Sequence, residues 1–148
     1  EDVDLAKIIN ESVISHQDMA TRNNIYFQLE IAPVSFKGNS TLIRNLVDNL
    51  VDNAIKYNKD FGLVIIKTKE LEGKVQLIVG DTGIGMDEKH LTQIFDRFYR
   101  IDTSRSRLTG GTGLGLTIVK KVGAVHGATL DVKSTLHEGT EFTITFKK

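Results

Sequence analysis

Apolar residues near the start of the chain recur at helical spacing. Leu5, Ile8, Ile9, Val13 and Met19 share one side of a helix predicted over residues 4–21. From residue 25 the period changes to two. Ile25, Phe27, Leu29 and Ile31 alternate with Tyr26, Gln28 and Glu30, the pattern of a half-buried strand. Pro33, the single proline, separates this run from a second strand-like run. Ser40 can cap a long helix reaching about Tyr57. Residues 63–69 and 74–80 predict two strands that turn at Glu72-Gly73. Asp87 can cap a short helix through Phe95, and residues 99–112, rich in Gly, Ser, Thr and Arg, predict a long loop. A further helix runs to His126 and stops at Gly127. Residues 128–134 and 140–147 form a closing hairpin around Glu138-Gly139, with Phe142, Ile144 and Phe146 facing one way.

Short turns between strands imply antiparallel or mixed pairing. The expected fold is α+β: a two-layer α/β sandwich whose mixed, mostly antiparallel sheet is covered on one face by three helices. Residues 1–148 are expected to form one domain, a length that can enclose a real core. The formal net charge is zero, which argues against a general nucleic-acid or membrane-surface binder. The chain has no cysteine, so disulfides, thiolate catalysis and Cys-based zinc sites are excluded. The acidic N-terminus is no signal peptide, and without a starting Met the chain reads as a piece of something longer.

Two features of the long helix carry chemistry. At about 100° per residue, with Leu42 at zero, the apolar residues from Leu42 to Ala54 span an arc of roughly 180°. Asp48 and Asp52 fall opposite, towards solvent. Asn53 falls inside the arc and Asn49 at its edge, with Lys56 and Tyr57 following on the same side. A buried amide is costly unless hydrogen-bonded. Asn53 is therefore a core amide satisfied by the backbone and Asn49 a surface residue, or both are aimed at a ligand in a cleft. An Asn carbonyl suits Mg²⁺, which takes only one or two protein ligands beside water and phosphate.

Two glycine segments follow. Asp81-Thr82-Gly83-Ile84-Gly85 leaves the strand 74–80 directly. It is either an ordinary turn or a place where Asp81 accepts a hydrogen bond from an exocyclic amine such as that of adenine. In Gly110-Gly111-Thr112-Gly113-Leu114-Gly115-Leu116, four glycines within six residues lead into a helix. That arrangement makes a phosphate site, a hinge, or both. Neither a P-loop nor a complete G-x-G-x-x-G is present.

Taken in order, these segments resemble the ATPase superfamily shared by DNA gyrase, the heat-shock protein 90 chaperones, MutL and histidine kinases. Asn49-Leu50-Val51-Asp52-Asn53-Ala54-Ile55-Lys56-Tyr57 is similar to the N box, and Asp81-Thr82-Gly83-Ile84-Gly85 to the G1 box. Phe95-Asp96-Arg97-Phe98-Tyr99-Arg100 resembles the F box and Gly111–Leu116 the G2 box; Glu138-Gly139-Thr140-Glu141-Phe142 matches the terminal glycine motif. The set covers essentially the whole chain. The F box, and Asn rather than Glu at position 49, point to the ATP-binding catalytic domain of a sensor histidine kinase, with a Bergerat-type fold. Gly38-Asn39 and Arg44-Asn45 depart from the usual pattern without touching the ATP roles.

The resemblance implies ATP and Mg²⁺ as cofactors. Asn53 would bind the metal with Asn49 beside it, Lys56 would contact phosphate and Tyr57 would stack on adenine. Asp81 would take the adenine amine, with Gly83 in the same turn and Gly85 admitting the base; Thr140 would support Asp81 from the sheet. Gly111, Thr112, Gly113, Leu114, Gly115 and Leu116 would form the hinge and phosphate contacts of a lid over residues 99–112. Arg97 would join Asn49, Asn53 and Lys56 in catalysis, and Phe98 and Arg100 would add nucleotide contacts. Solvated charges flanking an aromatic anchor are the alternative reading of the two arginines.

The family's phosphoacceptor motif, His-Glu/Asp-x-x-x-Pro, is absent: His16 lacks the proline, and His90, His126 and His137 also fail. His126, near a helix end, reads as dipole and capping chemistry. The expected role is therefore to hold Mg-ATP and present its γ-phosphate to a His on a separate dimerisation domain, with a response regulator downstream. The resemblance further implies a monomeric fragment of a homodimeric parent and a cytoplasmic location, with membrane anchoring of the parent left open. Alternatives are an anti-sigma-type serine/threonine kinase and a non-catalytic ATP-binding regulatory domain.

Overall fold

The computed structural model describes residues 1–86, 94 and 115–148. The helix predicted over 87–95 and the loop predicted over 99–112 lie outside the described residues. Helix α1 (Leu5–Arg22) begins at Asp4, whose carboxylate accepts from the Lys7 N–H at 3.2 Å. Leu5, Ile8, Ile9 and Val13 are buried as the periodicity predicts, and Met19 packs partly buried against the core. Helix α2 (Ser40–Lys56) is capped by Asn39 rather than Ser40: the Asn39 side chain accepts from the Leu42 N–H at 3.0 Å. Both residues are good caps, and the extended backbone at position 39 decides between them. Helix α3 (Gly115–Val125) ends before Gly127, which takes φ +63°.

Five strands form the main sheet: β2 (Tyr26–Ile31), β4 (Leu63–Leu71), β5 (Lys74–Asp81), β6 (Thr129–Thr135) and β7 (Gly139–Lys147), in the order β2-β4-β5-β7-β6. β2 pairs parallel with β4, and every other pairing is antiparallel, so the sheet is mixed and mostly antiparallel as expected. The parallel pair follows from the α2 crossover between β2 and β4. Glu72 and Gly73 take φ +49° and +77°, the left-handed pair that a tight two-residue hairpin requires. Two three-residue strands, β1 (Asp2–Asp4) and β3 (Ser35–Lys37), pair separately. β3 is the strand-like run expected after Pro33, whereas β1 lies just before the predicted helix, where no strand is expected.

Register places Val75, Leu77 and Val79 beside Phe146, Ile144 and Phe142, all buried on one face. α2 packs against both α1 and α3 over this layer. Leu29, expected inward, is 40% exposed because β2 is the outermost strand, where cover thins. Asp48, expected in solvent, is half-buried. It accepts from the fully buried Ser12 hydroxyl at 2.6 Å and from Arg44 at 3.0 Å, tying α1 to α2. His126 stands edge-on to the stacked Phe36–Phe146 pair. Its Nδ1 lies 2.8 Å from the Val122 carbonyl, and its Nε2 accepts from the Asn39 N–H at 3.0 Å. The capping role is thus observed, together with a bridge to the α2 cap. Among the described residues, no helix is long and apolar enough to cross a membrane.

Candidate functional site

The apolar face of the sheet ends in a polar row. Register aligns Asp81 with Thr140, and Thr140 with Ser134. Residues 82–86 leave Asp81 and run as a strap over the ends of the strands. Thr82 Oγ1 accepts from the Leu63 N–H at 2.8 Å, and the Ile84 N–H donates to the Tyr57 carbonyl at 3.1 Å. The His137 N–H donates to the Ile84 carbonyl at 2.7 Å, and the Met86 N–H donates to Ser134 Oγ at 2.7 Å. The C-terminal end of α2, the strap and the β6–β7 turn are thereby joined at one corner.

Asp81 sits within this corner. Burial pushes its carboxyl up from 3.8 to about 6, against the opposing effect of hydrogen bonds from the Gly83 and Thr140 backbone N–H groups. The Gly83 bond measures 2.9 Å. At neutral pH the group is an ionised but poorly solvated acceptor, well suited to an amine. Thr140 meets the Asp81 carboxyl through its N–H, and its hydroxyl meets Ser134 Oγ at 2.8 Å.

The two glycines of the strap have steric reasons to be glycine. A Cβ on Gly83 would lie 2.3 Å from the Tyr57 carbonyl oxygen. Gly85 has φ +65°, and its Cβ would lie 2.0 Å from the Thr135 carbonyl oxygen. In this structure Gly85 is thus demanded by the close approach of the chain's own backbone.

Asn53 is half-buried at the margin of the α2 apolar arc, because the buried set runs on to Ile55 and leaves Leu42 half-exposed. No hydrogen-bond partner holds its side chain among the described residues. Asn49 donates its amide N–H to the Asn45 carbonyl at 2.7 Å, leaving Oδ1 without a partner among the described residues. A half-buried amide of this kind fits a ligand. Lys56 pairs with Asp52 at 3.0 Å, a contact cheap enough to exchange for a phosphate. Tyr57 caps α2 beside the strap, and Leu116 packs half-buried against the core in the first turn of α3. Gly115 opens that helix. Arg97, Phe98, Arg100, Gly111, Thr112, Gly113 and Leu114 lie outside the described residues. No cluster of three or more His, Cys, Asp or Glu suited to a metal occurs among the described residues. Mg²⁺ bound mainly by phosphate and water needs only the one or two amide oxygens that Asn49 and Asn53 offer.

Two polar residues of the corner escape the motif reading. Asn58 is fully buried; its amide donates to the Leu63 carbonyl at 2.9 Å, and its oxygen accepts from the Lys59 N–H at 2.9 Å. Ser134 follows Leu130 and Val132 at the inward positions of β6, and a hydroxyl in an apolar alternation was its signal.

The family model described as "Histidine kinase-, DNA gyrase B-, and HSP90-like ATPase" matches residues 38–148. The phosphate regulon sensor protein PhoR of Pseudomonas aeruginosa is 43% identical over 143 residues, covering 96% of this chain and 31% of that protein. The sensor-like histidine kinase SenX3 of Mycobacterium tuberculosis is 38% identical over 145 residues, covering 97% of this chain and 35% of its own. The chain thus spans about a third of the length of these curated relatives. The solved mycobacterial sensor histidine kinase MprB superposes with a TM-score of 0.85 at 29% identity, covering 99% of this chain and 96% of the other. With the motif order, the sheet topology and this corner in agreement, the chain belongs to the histidine kinase, DNA gyrase B and HSP90-like ATPase family, as an ATP-binding domain of the sensor histidine kinase type.

Proposed function

We propose that this domain binds Mg-ATP at the corner between α2 and the strap and delivers the γ-phosphate to a histidine on a separate dimerisation domain. The observation that carries the reading is the convergence of a desolvated Asp81 acceptor with the Tyr57 end of α2, one turn beyond an Asn53 amide that has no partner among the described residues. Asp81 accepts the adenine amine, and Tyr57 offers a ring face to the base. Lys56 swings from Asp52 to the phosphates. Asn53 and Asn49 present amide oxygens for Mg²⁺, which when bound neutralises phosphate charge. Phosphoryl transfer asks the protein chiefly for positioning and electrostatics, so an ATP-holding half-enzyme is chemically sufficient beside a partner domain. The acceptor His, and any base assisting it, belong to that partner. The resemblance to sensor histidine kinases extends the proposal to a cytoplasmic position in a homodimeric parent that feeds a response regulator.

Radiolabelled ATP tests this. The chain alone should bind ATP and acquire no stable label. Added to a helical domain carrying a His-Glu-x-x-x-Pro motif, it should label that domain acid-labile. Label on serine would favour the anti-sigma-type kinase reading, and failure to bind any adenine nucleotide would refute the proposal outright. Asn53→Ala should weaken ATP binding in Mg²⁺ by about tenfold or more, the loss of one charge-assisted contact of ~1.5 kcal/mol. Calorimetry with the metal chelated should show wild type and variant alike.

A further inference from the structure

Ser134 is the junction at which three parts of the corner meet. Its Oγ lies 2.7 Å from the Met86 N–H, 3.0 Å from the Gly139 carbonyl and 2.8 Å from Thr140 Oγ1. Proton accounting fixes the direction of each bond. Met86 N–H can only donate, and the Gly139 carbonyl can only accept, so the single Ser134 proton goes to Gly139. Ser134 Oγ must then accept from the Thr140 hydroxyl. That leaves the lone pairs of Thr140 Oγ1 unused by this cluster, while the Thr140 N–H holds the Asp81 carboxylate.

We infer that Ser134 is a specificity-determining positioning residue, whose hydroxyl locks the strap and Thr140 into the geometry by which Asp81 selects adenine. The inference rests on the nucleotide reading above and concerns only its base end. Removing the hydroxyl strands two donors, the Met86 N–H and the Thr140 hydroxyl. Each must then turn to water or rotate, and the strap loses its fastening at the end opposite Asp81. The phosphate end draws on α2, where Asn49 bonds Asn45 and Lys56 pairs with Asp52 within the helix itself. The loss should therefore fall on recognition of the base.

The test is competition of ATP and GTP, each with Mg²⁺, against a fluorescent nucleotide on the wild-type chain and on Ser134→Ala. Wild type should prefer ATP, because guanine offers a carbonyl where Asp81 needs a donor. The variant should bind ATP about tenfold more weakly and GTP unchanged, so that the preference shrinks by the same factor. Equal loss for both nucleotides, or none, would overturn the inference, since simple loosening of the fold lowers both together. Should Ser134→Ala not fold, Ser134→Cys keeps the shape with a weaker acceptor, and the same ratio decides. A wild-type chain that binds neither nucleotide would remove the nucleotide reading and this inference with it; a wild-type chain that binds both, paired with an unaltered variant ratio, removes this inference alone.

Discussion

Asp81→Asn should abolish useful ATP affinity while making the protein more stable at neutral pH. The carboxyl is desolvated in the corner between β5 and the strap, and its folded value of about 6 lies above the ordinary 3.8. Replacing an ionised acceptor with an amide forfeits a charge-assisted bond to the base and turns a donor or a poorer acceptor towards it. A cost of ~2–4 kcal/mol, roughly 30- to 1000-fold in Kd, is expected. The linkage runs the other way for stability. A carboxyl whose folded pKa is raised binds its proton more tightly in the native state than in the unfolded one. Its penalty is absent below about pH 4, grows as the pH rises towards 6, and is constant above that. The full penalty is at most about 3 kcal/mol, discounted because the group is half-buried rather than sealed. Asn removes the charge but sets its amide against the Thr140 N–H, so the net gain should be about 1 kcal/mol. Thermal melts of both proteins from pH 4 to 8 check this: the wild-type curve should lose stability across the interval relative to the variant. In wild type, ATP affinity should fall as the pH drops through about 6, since protonation removes the acceptor. Unchanged affinity in the variant would remove Asp81 from the site.

Gly85→Ala should be among the most damaging single-methyl changes available. The added Cβ would stand 2.0 Å from the Thr135 carbonyl oxygen at a φ of +65°. Backbone, unlike a flexible side chain, cannot step aside cheaply. Left-handed strain of about 1 kcal/mol and the steric conflict together should cost ~3 kcal/mol or more. The strap would lift from the β6–β7 turn, breaking the bond from the His137 N–H to the Ile84 carbonyl. Chemical denaturation should show the loss, and nucleotide affinity should fall with it even under conditions where the variant is folded. A variant of wild-type stability would show that the strap tolerates a side chain there, and that the glycine serves the ligand instead.

Elements with a long, unambiguous period were legible from the sequence. α1, α2, β4, β5 and the β6–β7 hairpin lie where the pattern puts them, within a residue or two. What escaped depends on partners that periodicity does not encode. β1 is stabilised by pairing with β3, the strand-like run after Pro33, and by burial of Val3, so three residues suffice. Asp48 reads as a surface charge on a helix plotted alone; only the arrival of α1, with Ser12 turned inward, makes it half-buried. At the candidate site, ordered motifs single out Asp81, Asn53 and Thr140 because those residue types announce chemistry. Ser134 joins β6 to the distant strap, and its place in the β6 alternation marks it as inward without saying what it meets. Asn58 bonds nearby backbone, at Leu63 and Lys59, and nothing in its type distinguishes it from an ordinary turn residue. Thr140 is an intermediate case: the motif marks the residue, but the atom that meets Asp81 is the main-chain N–H, which no side-chain type announces.

The antiparallel seam between β5 and β7 joins residues from 59 positions apart, at Asp81 and Thr140, to 73 apart, at Lys74 and Lys147. On one side lies the hairpin that carries Asp81, and on the other the hairpin that carries Ser134 and Thr140. The corner therefore does not exist in a chain that has folded only one hairpin, however well formed that half is. Loop closure makes such a distant pairing late and slow relative to local hairpins. A nucleotide can then act only after the seam has closed. It holds the finished structure shut and retards unfolding, and it gives no help in the search that brings the two halves together.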